Sequence, residues 1–382
     1  MIETTDPRSS DATAIRDHIS KARRVVVKVG SSSLASPKSG IDLDTLNILV
    51  NALALRQLRG SEVILVSSGA VAAGLEPLKF KRRPTDIPQQ QAAAAVGQGL
   101  LMSAYTQAFA AHGIRTAQVL LTREDLSRKA SYSNALRTFG ALTRLRVVPI
   151  VNENDTVATR ELRLGDNDYL AALVAGLVHA DALVLLSDVD GLYTIDPSDP
   201  SAQRVDYVCD VAALDIDVLR PGSSGIGSGG MASKVEAARL AASAGIPVIL
   251  ARCNQAAAAL AGHEVGTVFA ASAKRLSRRQ GWLAQASEIQ GQLHVDDGAA
   301  NALLTTAASL LAAGITQVTG DFHAGDSVEI VNADGEVIAR GLAAFDSAEL
   351  PEMLGHNSSE LASTIGPAYS KPVVHRDDLV IS

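Results

Sequence analysis

Aromatic side chains make up only 3% of the 382 residues, and there is a single tryptophan. A core with so few large rings has to be built from Ala, Val, Leu and Ile. That suits buried parallel strands under alanine-rich helices and argues against an aromatic-rich sandwich. Cysteine is scarcer still, with Cys209 and Cys253 alone. Two thiols so far apart make neither a disulfide framework nor a zinc motif. They read as small buried apolar residues of a chain in a reducing, cytoplasmic setting. The first twenty residues are polar and mixed in charge, with no apolar signal core. The stretch 299–320 lacks charge, but it holds Asn301, several threonines and Gln317. Gly314 there reads as a helix end before a strand at 315–318, so no membrane span is expected. Basic residues nearly vanish towards the C-terminus. From Gly291 onward there are three (Arg340, Lys371, Arg376) against thirteen acids, a balance of −10 within a total of −7. A tail so acidic repels phosphate backbones, and RNA is not an expected partner.

The length exceeds one typical compact core, so two domains are expected. The first two-thirds alternates short apolar runs with alanine-rich periodic stretches. Strands are expected at 24–29, 62–67, 116–121, 147–151, 182–187 and 247–250. Helices are expected at 43–59, 89–112, 130–145, 168–179 and 232–244. This alternation argues for an α/β fold, an open and mostly parallel sheet sandwiched between helices. After about Ala270 the character changes. A short basic stretch, KRLSRR at 274–279, reads as a linker or solvated edge, and beyond it the runs shorten and turns multiply. Two such runs, 327–331 and 337–340, flank Asp334-Gly335 and read as a β-hairpin with a two-residue turn. The expected division is a polar N-terminal extension (1–23), an α/β domain (24–270), a linker (271–290) and a small β-rich domain (291–382).

Parallel sheets bind ligands outside the carboxyl ends of their strands, and the loops there are rich in particular residue types. KVGSSSL spans 28–34, SSGAVAAG 67–74, VNENDTVAT 151–159, GDND 165–168, SDVDGLYTIDP 187–197 and GSGGMASK 227–234. Glycine- and serine-rich turns expose backbone N–H groups, and Lys28 and Lys234 bring fixed positive charge. Such a set suits an anionic ligand such as a transferring phosphoryl group. Each piece alone has a plainer meaning: a turn, a lysine reaching solvent, a hydrated helix cap. Their joint placement after successive strands is what points to chemistry. No G-x-x-x-x-G-K-[ST] pattern is present. The G-x-G-x-x-G at 225–230 follows a polar loop and lacks the acid about 20 residues on that a dinucleotide fingerprint needs.

In this order the motifs resemble the amino acid kinase family, in its branch that phosphorylates glutamate. The tail resembles a PUA domain. KVGSSS and SDVDGLYTIDP are shared with relatives acting on other acids, while VNENDTV with GDND and the appended tail are more specific. The resemblance implies that Lys28 and Lys234 contact phosphates and that Asp168 holds those lysines. It implies that Ser68, Asp155 and Asn167 bind L-glutamate, with Asn152 nearby. It implies that Lys28, Ser187, Asp188, Ser228, Gly229, Gly230, Met231, Ala232, Ser233 and Lys234 bind ATP, with Mg2+ carried in on the nucleotide. Ser228 and Ser233 stand where threonine is common, and each keeps the hydroxyl. Assembly into a dimer or tetramer and feedback by proline belong to the same implication, and the sequence leaves the role of the tail open. A carboxylate of pKa about 4.3 is already an ionised nucleophile at neutral pH, so no general base is needed. The rival readings are a kinase for aspartate or N-acetylglutamate and an RNA-binding protein that uses the tail.

Overall fold

The computed structural model describes residues 10–34, 40–157, 167–195, 199–215, 230–272, 289–306 and 308–381. The chain forms two compact units, one of residues 1–123 and 134–275, the other of 124–133 and 276–382.

The first unit is built on β-branched runs too apolar to face water on either side. RVVVKV forms β1 (Arg24–Val29) and EVILVS forms β2 (Glu62–Ser67), each buried along nearly its whole length. They are joined by β3 (Thr116–Leu121), β4 (Val148–Glu153), β5 (Ala182–Ser187), β6 (Tyr207–Val208), β7 (Val248–Arg252) and β8 (Thr267–Phe269). The strand order is β3-β4-β2-β1-β5-β7-β8-β6. All neighbours from β3 to β7 run parallel, and β8 turns antiparallel to β7. The expected parallel sheet is therefore present, with β1 to β5 and β7 close to the expected places, while β6 and β8 were not expected. β1 lies between β2 and β5, where the order of the sheet reverses. The register sets Lys28 beside Val66 and Leu185, and Val29 beside Ser67 and Leu186. Lys28, Ser67 and Ser187 therefore come to one edge, the carboxyl edge, at the topological switch point.

The helices follow the 3.6 period. They include α1 (Ser10–Lys21), α2 (Leu43–Leu58), α3 (Ala70–Leu75), α4 (Ile87–Ala110), α5 (Asn167–Val178) and α6 (Met231–Ser243). Asp42 caps α2 by accepting from the Thr45 N–H, and those bonds hold its carboxyl below the usual range. The stretch read as a polar extension is in part the helix α1, which packs within the first unit. Ala12, Ile19 and Ala22 are buried along one narrow stripe. Arg56 of α2 donates to the carbonyls of Ile19, Ser20 and Ala22, which saturates the end of α1. Arg16 reaches the carbonyls of His263 and Val265. With apolar residues on only one face, the segment looks hydrophilic in composition. Cys253 is buried, and burial pushes its thiol up to about 11, so it stays protonated and unreactive at neutral pH, whereas Cys209 is exposed.

α3 and α4 touch backbone to backbone. A Cβ on Gly97 would stand 1.8 Å from the Ala70 carbonyl oxygen, and one on Gly74 would stand 1.9 Å from that of Ala93. Neither oxygen can swing aside as a side-chain tip would. Gly97→Ala is therefore expected to destabilise the protein by about 3 kcal/mol, the upper range of overpacking. Gly99 lies on the same helix, and a Cβ there would meet nothing within 4 Å. Gly99→Ala should hold or raise the melting temperature, since alanine is the better helix former. Equal thermal melts for the two variants would refute the close approach.

The second unit carries a five-stranded sheet. Its strands are β9 (Ile289–Val295), β10 (Ile315–Gly320), β11 (Ser327–Val331), β12 (Val337–Leu342) and β13 (Leu379–Ile381), in the order β10-β9-β11-β12-β13. Leu293, Phe322, Val328, Ile330 and Phe345 build its separate core. The expected hairpin forms, but its turn differs. Asn332 N–H donates to Glu336 O and Gly335 N–H to Asn332 O, with Gly335 at φ 82°. This is a three-residue loop closed by a left-handed glycine, not a two-residue Asp-Gly turn. The helix expected to end at Gly314 instead spans Asp297–Thr306, and Gly314 closes a short 3-10 turn before β10. Leu310 intervenes, exchanging backbone bonds with Val374. Among the described residues, no helix is long and apolar enough to cross a membrane. The basic stretch 274–279 lies outside the described residues.

Candidate active site

Lys28 is the last residue but one of β1 and would put a bare charge in a buried strand if nothing met it. Asp168 meets it. The Lys28 Nζ lies 2.5 Å from Asp168 Oδ1, and the Lys234 Nζ lies 3.2 Å from Oδ2. The three side chains are 2%, 8% and 0% exposed in the order Lys28, Lys234, Asp168. Two cations thus share one carboxylate out of water. Asp168 sits in the first turn of α5, Lys234 in that of α6, and these helices pack together, with α5 also against β1. Gly30 follows Lys28 closely enough that a Cβ there would stand 3.6 Å from the Lys28 Nζ.

Asn167, one residue earlier, is a hub. Its Nδ2 donates to Ser67 O at 2.7 Å, Asn152 Oδ1 at 2.7 Å and Ser68 Oγ at 3.0 Å. The Asn152 Nδ2 donates to Gln98 Oε1 of α4 at 2.8 Å. Ser67 Oγ bonds the Tyr105 hydroxyl, whose pKa is raised by burial, so the phenol stays neutral. The ends of β2 and β4 and the start of α5 are thereby fixed to one another. They enclose a cleft of about 140 Å³ whose lining includes Ser31, Ser68, Asn152, Asp155, Asn167 and Arg83. Glu153 also lines it.

The expected substrate residues Ser68, Asn152, Asp155 and Asn167 are therefore brought together in one cleft. Lys28, Lys234 and Asp168 form a second group, continuous with it in the chain through Asn167 and Asp168. Of the expected nucleotide residues, Ser187 ends β5 beside β1, and its Oγ donates to Asp188 Oδ1 at 2.9 Å. Gly230 opens α6 with no side-chain cap, followed by Met231, Ala232 and Ser233, whose Oγ donates to Gly230 O at 2.8 Å. Uncapped first-turn N–H groups beside Lys234 suit an anion. Ser228 and Gly229 lie outside the described residues. Arg83, Glu153 and Gln98 were not foreseen. Gln98 lies in mid-helix with no sequence signal, but Arg83 could have been sought in the connection that begins at Ser68.

Among the described residues, no group of three or more His, Cys, Asp or Glu side chains could hold a metal ion.

The chain is also similar to known proteins. The Amino acid kinase family profile matches residues 23–252, and the PUA domain profile matches 291–365. A protein named glutamate 5-kinase from Streptomyces coelicolor is 54% identical over 367 residues, covering 96% of this chain and 98% of its own. One of the same name from Salinispora arenicola is 53% identical, covering 96% and 100%. Among solved structures, carbamate kinase from Giardia lamblia bound to AMP-PNP matches with a TM-score of 0.50 and 19% identity, over 66% of this chain and 100% of that one. That likeness concerns the fold.

Proposed function

The chain belongs to the amino acid kinase family, and from that premise we propose that it transfers the γ-phosphoryl group of ATP to the side-chain carboxylate of L-glutamate. The product is L-glutamyl 5-phosphate, the first intermediate of proline synthesis, and the reaction takes place in the cytoplasm. The reading is carried by the convergence of Lys28 and Lys234 on Asp168 beside a cleft that holds both acids and a cation.

A carboxylate oxygen attacks the γ-phosphorus, a new O–P bond forms, and the bond to the β,γ-bridging oxygen breaks with its electron pair leaving on ADP. No proton moves, in keeping with a reacting carboxylate that is already ionised. The obstacle is repulsion between two anions. Lys28 and Lys234 offset it, and their burial strengthens the effect because little water screens them. Asp168 keeps both ammonium groups fixed before substrate arrives, so little reorganisation is needed in the transition state. When bound, magnesium would shield the β- and γ-phosphate charges. The open first turn of α6 and Ser187 face the nucleotide.

Asp155 holds the substrate ammonium. Asp155→Ala is expected to raise the KM for glutamate by about 10-fold or more, the scale of a hydrogen bond to a charged group, with kcat changed far less. An unchanged KM in steady-state kinetics would count against that role. The activity itself is tested by trapping acyl phosphate with hydroxylamine in the presence of ATP. L-glutamate should give hydroxamate faster than L-aspartate or N-acetyl-L-glutamate, and a preference for either rival would overturn the assignment.

A further inference from the structure

L-glutamate carries two carboxylates, and only one is to react. The Lys28–Lys234 pair can attend to the reacting one, but neither lysine lines the cleft. Arg83 is the cation among the described residues that do, facing the same space as Asp155 and Glu153. We infer that Arg83 binds the α-carboxylate of the substrate and so selects which end of glutamate meets the phosphoryl group. The inference rests on the reading of glutamate as substrate.

Charge balance supports this pairing. The cleft offers one positive and two negative side chains, and the α-carbon end of an amino acid presents one negative and one positive group. Guanidinium against carboxylate and acids against ammonium satisfy both. The local chain suits a positioned arginine. Arg83 precedes Pro84, which restricts its backbone to extended conformations. The Pro84 carbonyl accepts from Gln90 Nε2 at 2.7 Å, and Asp86 caps α4, so the loop is tied to the start of α4, the helix that packs against α3 in the cleft wall. A planar fork gives two parallel hydrogen bonds to a carboxylate, which lysine cannot reproduce.

The test is steady-state kinetics of the full chain with L-glutamate and with its α-amide, L-isoglutamine, at saturating ATP. Arg83→Ala should raise the KM for glutamate by about 10-fold or more, with kcat and the KM for ATP within about 2-fold of wild type. Its preference for glutamate over the α-amide should collapse, because the amide never made the charged contact. Arg83→Lys should fall between the two, having charge without the fork. An unchanged KM for glutamate in Arg83→Ala overturns the inference, as does an equal rise in the KM for ATP. If the wild-type protein turns over no glutamate at all, the functional reading falls and this inference falls with it. If wild type is active and Arg83→Ala matches it, only the role of Arg83 is lost.

Discussion

Alanine in place of Lys234 lowers kcat by at least about 100-fold, the scale of losing one charge contact made in the transition state. The fold survives the change. Asp168 keeps Lys28 as its partner at 2.5 Å, so no buried charge is left alone. What disappears is one of the two cations placed to meet the γ-phosphoryl group. Steady-state kinetics together with a thermal melt check both halves. A near-normal kcat would remove Lys234 from the chemistry.

Asp168→Ala is expected to do more damage, and of another kind. It leaves two ammonium groups facing each other, one of them only 2% exposed. Removing one partner from a buried ion pair costs about 3–5 kcal/mol, because the remaining charge has lost its compensation. The variant should melt well below wild type at equal scan rate, and kcat should fall together with it. Polyphosphate ligands should then restore it in part. ATP or inorganic triphosphate supplies the missing negative charge and should raise the melting temperature of the variant by more than that of wild type. A variant that melts like wild type would mean that Asp168 does not organise the lysines.

Much of this was legible from the residues. The β-branched runs gave the strands because a parallel sheet buries both faces, and burial leaves no freedom in composition. The sheet edge could be inferred because its loops are glycine- and serine-rich for a reason that side-chain packing does not supply. Other features escaped for physical reasons. α1 has so narrow an apolar stripe that its composition reads as solvent-facing, and its anchors, Arg16 and Arg56, look like surface residues until their carbonyl partners are known. Arg83 escaped because it meets the cleft from the loop before α4, not from a strand end, and Gln98 because it acts from mid-helix through Asn152. The turn at Ala333-Asp334-Gly335 is one residue longer than expected, since a left-handed glycine serves a two-residue and a three-residue hairpin equally well.

The bare contact between α3 and α4 bears on how such an enzyme could acquire a new acceptor. Ala70 and its neighbours wall the cleft, and they are interlocked with the longer helix through atoms that every amino acid shares. Drift in sequence therefore cannot slide this wall outwards to admit a bulkier acid. Any new preference has to be written in the groups that project from the wall, with the scaffold behind them left as it stands.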